Sequence, residues 1–467
     1  MVSCGHEAVE TFRVCRHLLD DEDLDHLVRF TGHGVDCEYV CRPCIESPAE
    51  IVDACAECQE RATSSWQGIA GVPQIAEEPS TITAAHRRIS FSWPAFVDLQ
   101  PVLGADRDRW IGVTQDATLH DVDLDAGTTR VIVNAGLDIA RPMLRLSRDG
   151  KLAAVVDRTG VRGAVIDLEA KATLLTLSRD GYRNEHCVFP IAFFEHEART
   201  LIVHSPAWNR VDIVDPRTGT VISERPIERE RAIDYFHCGL TVSRDQRYLA
   251  DNGWVWGPMG LVTTWSLDAW LANPWESDHG PSHKRLCGRD YYWDGPAVWL
   301  DGSQIAVYGY GRDDEWLIAG VRIFDAATGA ELRWFPGPQG DLVFDRELFA
   351  IDAVQGTSVW NVERGTRLFT EPTMQKARYH PSAKTFVSLA DGTVSVLRGA
   401  DARWNRGRVS ALAERIAREG AFDDLPVLGD ALEAEGCDDA ELLAHCHARE
   451  PHADRCWVID KITAADR

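Results

Sequence analysis

The chain has 467 residues, and 49 Lys+Arg against 73 Asp+Glu leave a formal net charge of -24. With 45% hydrophobic and 26% charged residues, a wholly disordered, collagenous or membrane-embedded chain is excluded, and the length serves two or three domains. The negative surplus repels phosphate backbones, so sequence-independent nucleic-acid binding is excluded as a property of the whole molecule and protein partners are expected.

Residues Met1 to Glu10 have no basic start and no apolar run, so the chain is expected to stay in the cytoplasm. Seven of the 13 cysteines fall in the first 58 residues. Six of them form, with two histidines, four ligand pairs: Cys4 with His6, Cys15 with His17, Cys41 with Cys44, and Cys55 with Cys58. Two donors spaced on one tight turn reach the same ion, so eight donors predict two tetrahedral structural zinc ions with no open coordination position. Neighbouring pairs sharing an ion, or the first pair joining the third and the second the fourth as in RING-like fingers, are both compatible with the spacing. His33 and Cys37 are substitutes for a member of a pair. Disulfides or plain core thiols are the competing readings. Residues 1–62 carry 14 Asp+Glu and 5 Arg without Lys, which speaks against a DNA-reading finger.

Residues 63–83, with Gly68, Gly71, Pro73 and Pro79, read as a linker. From 84 to 400, short alternating apolar runs such as Arg210-Val-Asp-Ile-Val-Asp predict strands. Two turns recur through this zone. The first starts at Ala105, Ser147, Glu195, Ser243, Leu300, Phe344 and His380. The second follows about 20 residues later at Asp123–Gly127, Asp167–Lys171, Asp215–Gly219, Asp325–Gly329 and Asn361–Gly365, where Asp or Asn bonds its own backbone and Gly supplies the positive φ. Seven units of roughly 40 to 50 residues match propeller blades. The cycle from Leu146 to Lys171, and its copy from Trp299 to Leu332, resembles WD-repeat and quinoprotein-like β-propellers, although the Gly-His and Trp-Asp dipeptides of a regular WD repeat are missing from their places. That resemblance implies a seven-bladed β-propeller and a scaffolding role.

Seven of the 16 tryptophans lie between Asn252 and Trp299, where the repeat spacing is longest. An inserted loop there predicts an exposed docking surface, with Trp275 and Tyr291 as its anchors; gap-filling between blades is the alternative. No phosphate loop, HExxH or G-x-S-x-G signature is present. His186 with Cys187, His237 with Cys238, and Asp278, His279 and His283 before Cys287 remain as isolated nucleophile-base candidates, each more simply read as packing.

From 401 to 467 the period becomes helical, with Val409, Leu412 and Ile416, then Leu425, Leu428 and Leu432, then Leu442 and Cys446 on apolar faces. Cys437, His445, His452 and Cys456 offer a third zinc site. This tail resembles a terminal segment of multidomain bacterial proteins. The expectation is a mainly β protein: a two-zinc finger module at 1–62, a seven-bladed propeller at 84–400 and a small helical module. It would act as a non-catalytic interaction protein, a scaffold or adaptor. The alternatives are a regulatory inhibitor or protease target in bacterial signalling or defence, or an enzyme, either a propeller hydrolase or a RING-like ligase module.

Overall fold

The computed structural model describes residues 12–20, 26–30, 37–41, 44, 50–54, 58–59, 66–70, 73–89, 91–103, 108–226, 232–311, 317–398, 406–434, 440–448 and 456–464. They fall into two compact units, Met1–Glu78 with Arg88–Val394, and Pro79–Arg87 with Ser395–Arg467. No helix among the described residues is long and apolar enough to cross a membrane.

The first unit is mainly β. Its successive antiparallel meanders span 96–134 (sheet one), 142–178 (two), 191–221 (three), 241–290 (four), 297–336 (five) and 341–371 (six), with a further hairpin at 377–388 opening sheet seven. The first strand of each sheet from one to five lies beside the first strand of the next, and the first strand of sheet seven lies beside that of sheet one. Arg378 of sheet seven also reaches Asp341 of sheet six at 3.5 Å, so the row of first strands returns to its start, as in a propeller. Alternating apolar residues meet between neighbouring sheets: Leu144, Ala153 and Val155 face sheet one, while Met143, Ala154 and Val156 face sheet three.

The second recurring turn falls where the spacing placed it; Ala105, which opens the first series, lies outside the described residues. Asp123, Asp167, Asp215, Asp325 and Asn361 each accept a backbone N–H two or three residues on through Oδ1, and Gly127, Gly219, Gly329 and Gly365 all have positive φ. In sheet four this turn is replaced by two helices, Leu267–Ala272 and Glu276–His279, which accounts for the long spacing. The insertion does not simply project. Trp265 and Trp270 are fully buried, and the buried Glu276 carboxylate accepts from both the amide and the hydroxyl of Ser282.

The amino-terminal zone forms its own five-stranded sheet. Its strands are β1 (Phe12–Cys15), β2 (His26–Phe30), β3 (Cys37–Cys41), β4 (Ile51–Ala54) and β5 (Trp66–Ala70), in the order β4-β1-β3-β2-β5, with helix α1 (Arg16–Asp20) after β1. β5 lies inside the stretch expected as linker, and Ala76–Glu77 pairs with the outer strand of sheet six. Backbone pairing to an open sheet edge overrides the turn-forming composition there. The core of this sheet is small, chiefly Val14, Leu18, Tyr39, Val40 and Ala54 with four cysteines. It is completed by Tyr310 of sheet five, whose ring stacks on Trp334 at 3.7 Å between centroids.

In the second unit, helices Arg406–Glu419, Leu425–Ala434, Ala440–His447 and Trp457–Ala464 bury Val409, Ile416, Leu425, Leu428, Leu432, Leu442 and Cys446 together. Gly420, with φ +65°, ends the first helix while the Ala421 amide bonds the Ile416 carbonyl. The last helix was not anticipated. Here too His86 and Ser395 bond at 2.8 Å across the strand Thr83–Arg87.

Candidate metal centre and aromatic face

β1 and β3 run parallel, so Cys15 and Cys41, the last residues of each, arrive at the same end of the sheet. Arg13 of β1 and Arg29 of β2 stand opposite Glu38 of β3 and clamp its buried carboxylate from both sides, at 2.9 and 2.6 Å. A one-residue slip of either neighbour would break this ladder, so it fixes the register on which the cysteines depend. Arg29 also donates to the Cys44 carbonyl at 2.9 Å, tying Cys44 to β2.

At that end the sulfurs of Cys15, Cys41 and Cys44 and one imidazole nitrogen of His17 all lie within 4.8 Å of one another, a set that can hold a metal ion. His17 Nδ1 is 3.0 Å from Cys44 Sγ and 3.7 Å from Cys41 Sγ. Donor atoms around a tetrahedral zinc stand about 3.5 to 3.8 Å apart, so a small expansion seats the ion. Burial pushes the Cys44 thiol up to about 12, reinforced by its hydrogen bond with Cys41 and by the charge of Cys15. Burial likewise raises Cys15, against the amide of Cys41, which donates to its sulfur at 3.3 Å. The desolvated thiols of Cys15 and Cys44 thus favour the protonated form, and a bound divalent ion would reverse that preference.

The second ligand pair thus meets the third. The crossed pairing expected of RING-like fingers would have joined Cys15 and His17 to Cys55 and Cys58 and does not describe this centre; the parallel alignment of β1 with β3 decides the partner. Cys4, His6 and Cys55 lie outside the described residues, as does His33, while Cys58 is buried in the same small core. Of the tail set, His445 Nε2 lies 3.3 Å from Cys456 Sγ; Cys437 and His452 lie outside the described residues.

A second feature emerges only in three dimensions. In an antiparallel meander the turns between second and third strands and the exits to the next sheet share one end. At that end of sheets two to five, the rings of Tyr182, Phe236, Trp254 and Trp293 form a column of near-parallel planes, tilted by 23°, 8° and 23° from one to the next. Trp208 and Trp256 flank it, 4.4 and 5.7 Å from Phe236, and Arg183 sits over Trp256 at 5.6 Å. Reciprocal backbone bonds join Phe236 and Trp254, and a Cβ on the intervening Gly253 would stand 2.1 Å from the Phe236 carbonyl. The Trp254 indole donates to Cys187 Sγ at 3.1 Å and that of Trp293 to the His186 carbonyl at 2.7 Å. The outer members are open to solvent: Tyr182 is 48% exposed, Trp256 47% and nearby Tyr291 58%.

Tyr291 therefore lies at this end, its amide bonded to the Pro258 carbonyl. Trp275 sits at the other end of sheet four, half-buried under Arg225, and the structure does not bring the two together. Tyr182, Trp208 and Phe236 carry no clustering signal in the sequence; their only mark is an aromatic side chain in a turn segment.

Of the nucleophile-base candidates, His186 and His279 are exposed and the others are held in packing. His237 Nδ1 bonds Asp251 at 2.6 Å with both side chains buried, and burial raises the Cys238 thiol well above its ordinary value, opposite to what a nucleophile needs. Asp278 pairs with Arg225 at 2.8 Å, and His283 stacks on Trp265.

No family model matches this chain, and no curated protein matches it. Among solved structures, a chain of the crystal structure of a mitotic checkpoint complex is similar at 14% identity and a TM-score of 0.45, covering 69% of this chain and 95% of that one.

Proposed function

We propose that the chain is a non-catalytic interaction protein, a scaffold or adaptor in the cytoplasm, which binds a protein or peptide partner through the aromatic end of a seven-bladed propeller. The carrying observation is the exposure of Tyr182, Trp256 and Tyr291 around a rigid column of stacked rings. Rigid aromatic side chains bury large area at low entropic cost, which is why they anchor interfaces. Tyr291 is retained as an anchor and Tyr182 and Trp256 join it.

The amino-terminal module is a zinc-dependent structural brace. Cys15, His17, Cys41 and Cys44 hold one ion, and Cys4, His6, Cys55 and Cys58 supply the donors of a second. With four protein donors per ion there is no open position for substrate water, so the metal shapes the module and does not catalyse.

The test compares partners captured by the full chain with those captured by Tyr182→Ala and Trp256→Ala in rising salt. A partner held at 1 M salt by the parent chain and lost from both variants supports the reading. A partner set unchanged by both substitutions, or one released wholly by salt, overturns it in favour of charge-driven capture.

A further inference from the structure

Around the aromatic column, hydrogen-bond acceptors are engaged within the chain while donors stay open. The Asp180 carboxylate receives the amides of Tyr182 at 3.3 Å and Trp208 at 3.2 Å. The Trp208 carbonyl receives the His237 amide at 3.0 Å, and the carbonyls of Asn184 and Cys187 receive the Arg179 guanidinium at 3.2 and 3.0 Å. The Glu185 carboxylate stands 3.5 Å from the His186 imidazole. By contrast, no acceptor among the described residues meets the indole N–H of Trp208 or of Trp256, nor the guanidinium of Arg183, which lies over the Trp256 ring at 5.6 Å. Trp256 and Arg183 are exposed and Trp208 is half-buried. All three groups donate and none accepts; of the polar groups on the exposed rings, only the tyrosine hydroxyls can do both.

The rings beside these donors suit a stiff, apolar, extended segment. Trp256 stands almost at right angles to the stacked Phe236 and Trp254, at 87° and 80°, which makes a step against which a flat apolar ring can lie. The exposed rings of Tyr182 and Trp256 are 5.8 and 5.7 Å from Phe236, a combined reach that spans one turn of polyproline II helix, ~9 Å for three residues. A proline-rich segment matches this surface in shape and in bonding. Its imide nitrogens carry no hydrogen, so it brings acceptors without donors. In polyproline II its carbonyls make no internal bonds and are free to accept, and the segment arrives already ordered, at little entropic cost. An ordinary strand or loop would instead bring an amide donor with each residue, against acceptors that are engaged.

We propose that the aromatic end binds a proline-rich segment in the polyproline II conformation, the indole N–H groups of Trp256 and Trp208 donating to its carbonyls; this is a partner class within the docking role proposed above, on which it rests. Isothermal titration of the full chain with decaproline, and with a glycine-serine decapeptide as control, tests it. Saturable one-to-one binding of decaproline is expected, with none of the control. Trp256→Phe keeps an aromatic ring and removes the N–H, and should weaken binding about fivefold, the loss of one hydrogen bond, while Trp256→Ala should weaken it further. The side chain is exposed, so both variants keep the fold. Absence of saturable decaproline binding, equal binding of the control, or an unchanged Kd in Trp256→Phe overturns the proposal. If decaproline fails while a partner captured in high salt still requires Tyr182 and Trp256, the docking face stands and the proline-rich class alone falls.

Discussion

Removal of the zinc proposed for the amino-terminal module should unfold that module and leave sheets one to three intact. The buried apolar side chains of its core are chiefly Val14, Leu18, Tyr39, Val40 and Ala54, with Tyr310 lent by sheet five. At about 1.5 to 3 kcal/mol for each large side chain, that interior contributes on the order of 10 kcal/mol before the entropy of ordering five strands is counted. A structural zinc ion contributes an apparent ~10 to 16 kcal/mol, as much as the interior itself. Loss of even half of this, at about 1.4 kcal/mol per tenfold, lowers amide protection by more than about three orders of magnitude. The assay is hydrogen exchange on the full chain before and after chelation, read on segments 12–20, 37–41 and 142–178. Segments 12–20 and 37–41 should lose protection and 142–178 should not. Retained protection of β1 and β3 in protein shown by elemental analysis to be metal-free would refute the reasoning, since the small core would then suffice. Cys41→Ser should reproduce the chelated pattern.

Other outcomes follow from single contacts. Arg225 is buried between Asp212 at 3.0 Å and Asp278 at 2.8 Å, joining sheet three to the helical insertion of sheet four; Asp212 keeps Arg210 at 2.9 Å, but Arg225→Met removes the arginine from the buried Asp278 carboxylate and should cost about 3 to 5 kcal/mol in denaturant unfolding. Gly253→Ala drives a methyl into the Phe236 carbonyl and should cost about 1 to 3 kcal/mol while altering the near-ultraviolet dichroism of the tryptophan column. Burial holds His204 down to about 4, against about 6.5 when unfolded. Because the unfolded chain binds the proton first, its contribution is complete above about pH 6.5 and is lost as pH falls toward 4. His204→Gln should therefore narrow the gap in melting temperature to the parent chain as pH drops through that window, and a gap independent of pH would contradict it.

Much of the architecture was legible in the chain because it rests on local chemistry. Asp215 with Gly219 and Asp325 with Gly329 make the same turn wherever they occur, since an Asx side chain bonding its own backbone needs no distant partner. Strand alternation marked the sheets for a similar reason, and the Cys-x-His and Cys-x-x-Cys spacings marked Cys15 with His17 and Cys41 with Cys44, which the fold brings together as a set that can hold a metal ion. The helical tail was readable from its period except in the segment from Trp457 to Ala464.

The tertiary structure decided what sequence spacing leaves open. Which pairs come together depended on β1 lying parallel to β3, a long-range register set by Glu38 between Arg13 and Arg29. The insertion in sheet four folded inward because Trp270 and Glu276 find buried partners there, and so Trp275 and Tyr291, close in the sequence, lie at opposite ends of one sheet. Tyr182, Phe236 and Trp254 meet because a meander returns its alternate turns to the same end. Local bonding therefore determined the kinds of element and the donor chemistry, whereas the assembly of sites came from strand pairing between residues far apart in the chain, whose geometry no short stretch of sequence encodes.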